Sequence, residues 1–239
     1  MTIFLTLVDV TLRGMVGRRR TVLLVLLALL PVGLALLARL GGEVPDAAAA
    51  LDALVVRIVL PLIALVFGTA ALGAEIEDGT AVYLLIKPIA RLHIVVAKVV
   101  VAALLTAALA APSALATGLL MGGGDAGLEA TLAVTPAVVI GSVLYASAFV
   151  AISAITTRAL VIGLVYVVIW EGILAGILVG TRIFSIREAV LGFAGALAPD
   201  AWEGGLELAQ AVGLALVIVV GGVVLAARRL AVHEVRGGD

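Results

Sequence analysis

Among its 239 residues the chain has no cysteine, which excludes disulfides, thiolate metal sites and cysteine nucleophiles. Charge is scarce. Asp, Glu, Lys and Arg make up 13% of the residues, where an ordinary soluble domain carries about 25%. Only two of the fifteen basic residues are lysine, Lys87 and Lys98. The net charge of −1 offers no basic surface for nucleic acid. The two histidines, His93 and His233, sit on different segments and lack the companions of a metal motif, so a metal site or an intramembrane metalloprotease is excluded. What the chain has in excess is apolar side chains: 64% of residues, with a mean hydropathy of +1.33. That is far above the usual 45–50% or so. Too little polar surface remains to cover a compact core, which rules out a soluble enzyme, a disordered chain and a fibrous repeat. An integral membrane protein is left.

Six apolar runs, at about 21–40, 54–73, 94–121, 132–156, 160–180 and 206–227, are long enough to cross the bilayer as helices. No alternating strand pattern occurs, so the expected fold is an all-α membrane bundle and not a barrel. No histidine falls inside a run, which also removes a serine intramembrane protease. With the N-terminus cytoplasmic, eleven Lys and Arg residues lie inside and four (Arg39, Arg57, Arg182 and Arg187) outside. The positive-inside rule then predicts both termini in the cytoplasm. The outer loops are mostly acidic, with Glu43, Asp46 and Asp52, then Asp125 and Glu129, then Asp200, Glu203 and Glu207.

The start of the chain does not read as a cleavable signal, because an amphipathic stretch precedes Arg18-Arg19-Arg20. Thr2, Thr6, Asp9 and Arg13 share one helical face, and Ile3, Phe4, Leu7, Val10 and Met15 fill the other. This pattern predicts an interfacial helix over 1–20, with Asp9 and Arg13 as an i,i+4 pair; a frayed extension of the first span is the alternative.

Most loops are too short to hold a site. The exception is the inner stretch 75–93. There Glu75, Glu77 and Asp78 precede Gly79-Thr80, Leu84 to Ile86 follow, Pro88 stops the helix, and Arg91 and Lys98 begin the next. A short capped helix at that point suits docking to another protein; a solvated cytoplasmic turn is the plainer reading. The spacing Glu75-x-x-x-Gly79-Thr80, Leu84 or Leu85, Pro88, Arg91 and Lys98 resembles the signature after the second span of ABC type 2 transporter permeases. The resemblance covers the whole chain, including the tight inner turn Thr156-Thr157-Arg158 and the longer outer segment before the last span.

It implies that 75–93 is a coupling segment, in which Glu75, Glu77, Asp78, Gly79, Thr80, Leu84, Pro88 and Arg91 meet a groove of a separate ATP-binding subunit. No Gly-x-x-x-x-Gly-Lys-[Ser/Thr] occurs, so the chain cannot cradle ATP itself. ATP and Mg would sit on two copies of the partner ATPase, and this chain would perform no bond-making chemistry and carry no cofactor. Six spans make half of a pathway, so a dimer, by default a homodimer, is expected. Export is the expected direction. The Ala, Val, Leu, Gly and Arg bias looks like a GC-rich bacterial genome, which would place the chain in a bacterial cytoplasmic membrane.

Glu171 falls near the middle of the fifth run, where a charge costs about 2.5–3.5 kcal/mol to insert. It is expected either to line the pathway, with Tyr145 and Ser142, or to be a neutral acid bonded to a neighbouring helix. Gly172, Gly176 and Gly180 form a small-residue ridge for helix packing, within the chain or between subunits. In the family the first and fifth spans commonly form the dimer contact. In the outer segment 182–205, Ser185-Ile-Arg-Glu188 reads as a capping box. It predicts a short helix tucked at the outer surface, with Ile186, Val190, Phe193 and Leu197 as its stripe, ending before Pro199. The resemblance likens this to an outer hairpin that helps close the exit. Pro31, Pro61, Pro112 and Pro136 are read as kinks. An ATP-independent carrier or a membrane scaffold is the competing function. It predicts no partner ATPase and no role for 75–93, and no inverted repeat supports a carrier.

Overall fold

Lipid offers no partner for backbone N–H and C=O groups, so apolar runs must satisfy them internally as helices. The structure, a computed structural model, describes residues 8–9, 11–12, 15, 17–42, 46–77, 91–122, 124–174, 179–202 and 204–236, and among them it is helical with no strand. Helix α1 (Arg18–Leu40) ends where Gly41 N–H donates to Leu37 O at 2.9 Å and Gly42 takes φ +80°. Helix α2 has three parts: Ala47–Ala50, a π-helical stretch Leu51–Val59, and Leu60–Glu77. Then come α3 (Arg91–Met121), α4 (Asp125–Ile155) and α5 (Ala159–Val165, continuing π-helically as Tyr166–Leu174). A 3₁₀ turn (Val179–Phe184), α6 (Ile186–Leu197) and α7 (Leu208–Arg236) complete the described chain.

Several boundaries differ from the hydropathy reading. Helix α2 starts at Ala47, not near 54, because Asp46 accepts from Ala48 N–H at 3.2 Å and four alanines follow. Alanine is the best helix former but only weakly hydrophobic, so a hydropathy window misses such a start. Helix α4 likewise begins at Asp125, not near 132, directly after Gly124 at φ +91°. In the π-helical stretch Leu60 N–H reaches back to Val55 O. Pro61 follows at once; its ring cannot sit against the carbonyl four residues earlier, and a widened turn relieves that clash.

Among the described residues five helices are long and apolar enough to span: Arg19–Leu40, Ala47–Leu72, Arg91–Met121, Asp125–Ile155 and Leu208–Leu230. The expected fifth span, 160–180, is an apolar helix only over Ala159–Leu174 among the described residues, with 175–178 outside them. Of the expected interfacial helix, residues 8, 9, 11, 12 and 15 are described and helical. Met15 is buried, Val8 and Leu12 pack on the same cluster, and Asp9 is exposed. Arg13, its expected partner, lies outside the described residues.

Helix α4 is the hub and packs against α2, α3, α6 and α7. Close approach depends on small residues. A Cβ at Gly68 would lie 2.7 Å from Phe149 Cβ, and one at Gly141 would run into Val190 and Leu60. Serine ties α3 to α1, with Ser113 Oγ donating to Ala28 O at 2.5 Å. Helices α1 and α7 are peripheral; only 22% and 11% of their apolar windows are buried.

Candidate functional site

The two ends of the bundle carry different chemistry. At one end, α2 runs out to Glu77 and α3 starts at Arg91. Glu75 and Glu77 thus occupy the last turns of α2, and Arg91 opens α3. Asp78, Gly79, Thr80, Leu84 and Pro88 lie outside the described residues. Below this segment Lys98 is buried, and its Nζ donates to Ala71 O of α2 at 2.5 Å. A hydrogen bond from a charged donor is worth about 1.5–3 kcal/mol net, so Lys98 fixes α3 against α2 about two turns from the start of α3.

The opposite end holds a charged network that hydropathy did not reveal, centred on the first turn of α6. Ser185 caps the helix by accepting from Glu188 N–H at 3.2 Å, as its sequence predicts. The reciprocal half of the capping box is replaced: the Glu188 carboxylate receives Arg187 Nη1 at 2.7 Å. Arg187 grips Asp52 of α2 with two parallel bonds, Nε to Oδ1 at 2.9 Å and Nη2 to Oδ2 at 2.5 Å. Forked pairing of this kind is the strongest arginine–carboxylate geometry. Burial alone would lower the Arg187 pKa, but the bonds and charge of Asp52, with Glu188 and Glu171, outweigh it and raise the pKa above the usual guanidinium range. The guanidinium is therefore fixed as a cation.

Glu171 of α5 joins the same turn. Its Oε1 accepts from Tyr166 OH and from Ile186 N–H, both at 2.8 Å, and its Oε2 accepts from Ser185 Oγ at 2.5 Å. The acid is buried, but it is satisfied by three donors at the positive end of the α6 dipole. The structure thus sets Glu171 against the outer segment, not alone within an apolar run. Tyr145 is buried and stacks on Phe149 at 5.8 Å. Among the described residues its hydroxyl has no hydrogen-bond partner of proper geometry, although it lies within electrostatic reach of Glu171. Ser142 donates to Val138 O of its own helix at 2.8 Å and does not meet Glu171.

Helix α6 is tucked into this end of the bundle. Residues 186–192 are all buried, because α4, α7 and the start of α2 pack around it. Of the expected stripe, Ile186 and Val190 are buried, Phe193 half-buried and Leu197 exposed. The chain returns from α6 through Gly204 and Gly205, at φ +101° and +89°, and Leu206 N–H donates to Glu188 O at 3.0 Å. Trp202 Nε1 donates to Ala130 O of α4 at 3.0 Å. Of the expected ridge, Gly172 on α5 and Gly180 on the 3₁₀ turn are exposed, and among the described residues a Cβ at either would touch no other helix; Gly176 lies outside the described residues.

Above this network lies a cavity of about 810 Å³. Its floor includes Asp52, Arg187 and Glu188, and its walls include Asp46, Arg57, Arg182 and Asp200 with Trp202. No group of three or more His, Cys, Asp or Glu among the described residues could hold a metal ion. Asp52 and Arg187 read as loop charges in the sequence; the signal that could have paired them was opposite sign in two loops at the same end.

No curated protein matches the chain. A family profile described as ABC-2 family transporter protein matches residues 9–193, from the N-terminal stretch into α6. The match covers most of the chain, which belongs to the ABC-2 transporter family, as a membrane permease component of an ABC transporter.

Proposed function

We propose that the chain forms half of the transport pathway of an ABC exporter. Two copies would assemble as a homodimer in a bacterial cytoplasmic membrane with both termini cytoplasmic. Two copies of a separate ATP-binding subunit would drive it, supplying ATP and Mg. The observation that carries this reading is the family match over residues 9–193, joined to the absence of a phosphate-binding loop anywhere in the sequence. The segment from Glu75 to Arg91 is the coupling element, and Lys98 braces the two helices that lead into it. Closure of the ATPase pair would move this segment and switch the bundle between two packings, each favoured by the ligand that binds it more tightly. The exposed Gly172 on α5 favours subunit contact through that helix.

The test is a mild-detergent purification of the tagged chain from its native host, with mass spectrometry and stoichiometry. An ATPase with a phosphate-binding loop, at one-to-one with two copies of this chain, is the expected result. A second, related permease chain would replace the homodimer by a heterodimer. Recovery of this chain alone, under every nucleotide condition, would refute the ATPase-driven reading in favour of a carrier or scaffold.

A further inference from the structure

We propose that the cavity over the α6 network binds a zwitterion, a small molecule or headgroup that carries an ammonium and an oxyanion together. Its volume of about 810 Å³ suits a compact ligand and not a polymer, since small-molecule pockets run to about 300–1,000 Å³. The floor is electrically closed. Arg187 is buried and spends its donors on Asp52 and Glu188, so a ligand gains little from displacing them. The walls differ. Arg182, on the 3₁₀ turn, and Asp200, just past α6, line the cavity exposed, and neither side chain has a hydrogen-bond or ion-pair partner among the described residues. Arg57 of α2 leans toward Asp52 at 3.8 Å with 46% of its side chain still exposed. One wall charge of each sign is therefore uncommitted, and the two come from different segments.

A simple anion drawn to Arg182 and Arg57 would also face Asp200 and Asp46, and a simple cation drawn to the acids would face the guanidiniums. A ligand bearing both signs answers both walls at once. Trp202 and Leu191 add apolar wall suited to the methylene or methyl groups between the charges, and an indole attracts an ammonium.

The proposal concerns binding alone and does not rest on ATP-driven transport, so the test needs no nucleotide. The full chain, purified with whatever accompanies it, is titrated by calorimetry with phosphoethanolamine, then with ethanolamine and with inorganic phosphate. In parallel, lipid nanodiscs containing phosphatidylethanolamine are compared with nanodiscs lacking it, by native mass spectrometry of retained lipid. Saturable binding of phosphoethanolamine, roughly tenfold or more tighter than either half alone, supports a soluble zwitterion. Retention of phosphatidylethanolamine alone supports the same chemistry carried by a lipid. Arg182→Gln and Asp200→Asn, both at exposed positions, should each weaken the supported interaction roughly tenfold. Equal binding of ethanolamine or of phosphate, indifference to both variants, or no saturable binding in either arm would overturn it.

Discussion

At Arg187 a single side chain joins two acids, Asp52 and Glu188, so its loss is costly. Arg187→Met would leave Asp52 and Glu188 without their cation, and removing one partner of a buried pair costs roughly 3–5 kcal/mol. The lower end applies, because Asp52 keeps 21% of its side chain exposed. A Tm measured in detergent should fall, and Asp52→Leu combined with Arg187→Met should recover part of the loss; no recovery would show that the pair is not the unit. The raised pKa of Arg187 sets the pH sign. Its contribution is complete below the ordinary guanidinium range and lost only above the still higher folded value, so Arg187 itself adds no pH dependence near neutrality. Glu171 is a different case. Glu171→Gln retains one acceptor oxygen for Tyr166 OH, Ser185 Oγ and Ile186 N–H, and should cost about 1–3 kcal/mol. The expected result is a lower Tm with transport per folded molecule unchanged; a transport loss at full stability would instead place Glu171 in the pathway.

Among the elements, α6 is held by its two flanks. The π-helical stretches Leu51–Val59 and Tyr166–Leu174 each supply one carboxylate, Asp52 and Glu171, to its first turn. A π turn re-aims the side chains that follow it, which is why such turns gather at sites where direction matters. On the other flank, a Cβ at Gly205 would lie 2.6 Å from Gly192 N, at a φ that a side chain rarely adopts. Gly205→Ala should therefore cost about 1–3 kcal/mol and expose the return from α6 to protease. Limited proteolysis followed by mass mapping reads this directly, and an unchanged cleavage pattern would argue that the return is not anchored there. The capping motif Ser185 to Glu188 made α6 legible in the sequence, because a cap is a local interaction. Its burial was not legible, because that depends on which helices come to surround it.

For the whole molecule, the two ends are tied differently, one through Lys98 to Ala71 O and the other through Arg187 to Asp52. If the segment after Glu77 transmits the movement of an ATPase, Gly79→Pro should leave assembly intact and uncouple ATP hydrolysis from transport, read as hydrolysis without flux in proteoliposomes. Normal coupling in that variant would remove the segment from the mechanism. Subunit contact can be probed separately. Among the described residues a Cβ at Gly172 meets only Val167 O, at 3.5 Å, so Gly172→Leu should leave Tm unchanged while lowering the dimer fraction in native mass spectrometry. An unchanged dimer would move the contact elsewhere.

The sequence by itself determined the membrane class, the helical fold and the transporter family, because hydropathy, charge bias and motif spacing are local properties that need no partner in space. It also located the α6 cap. Tertiary structure alone decided that Asp52 pairs with Arg187, 135 positions away, and that Glu171 caps α6. It likewise decided that Gly68 and Gly141, outside the conspicuous ridge, are where helices touch. The reason is that a charge or a glycine in a sequence has no direction. Only the crossing of α2, α4, α5 and α6 sets which of them meet.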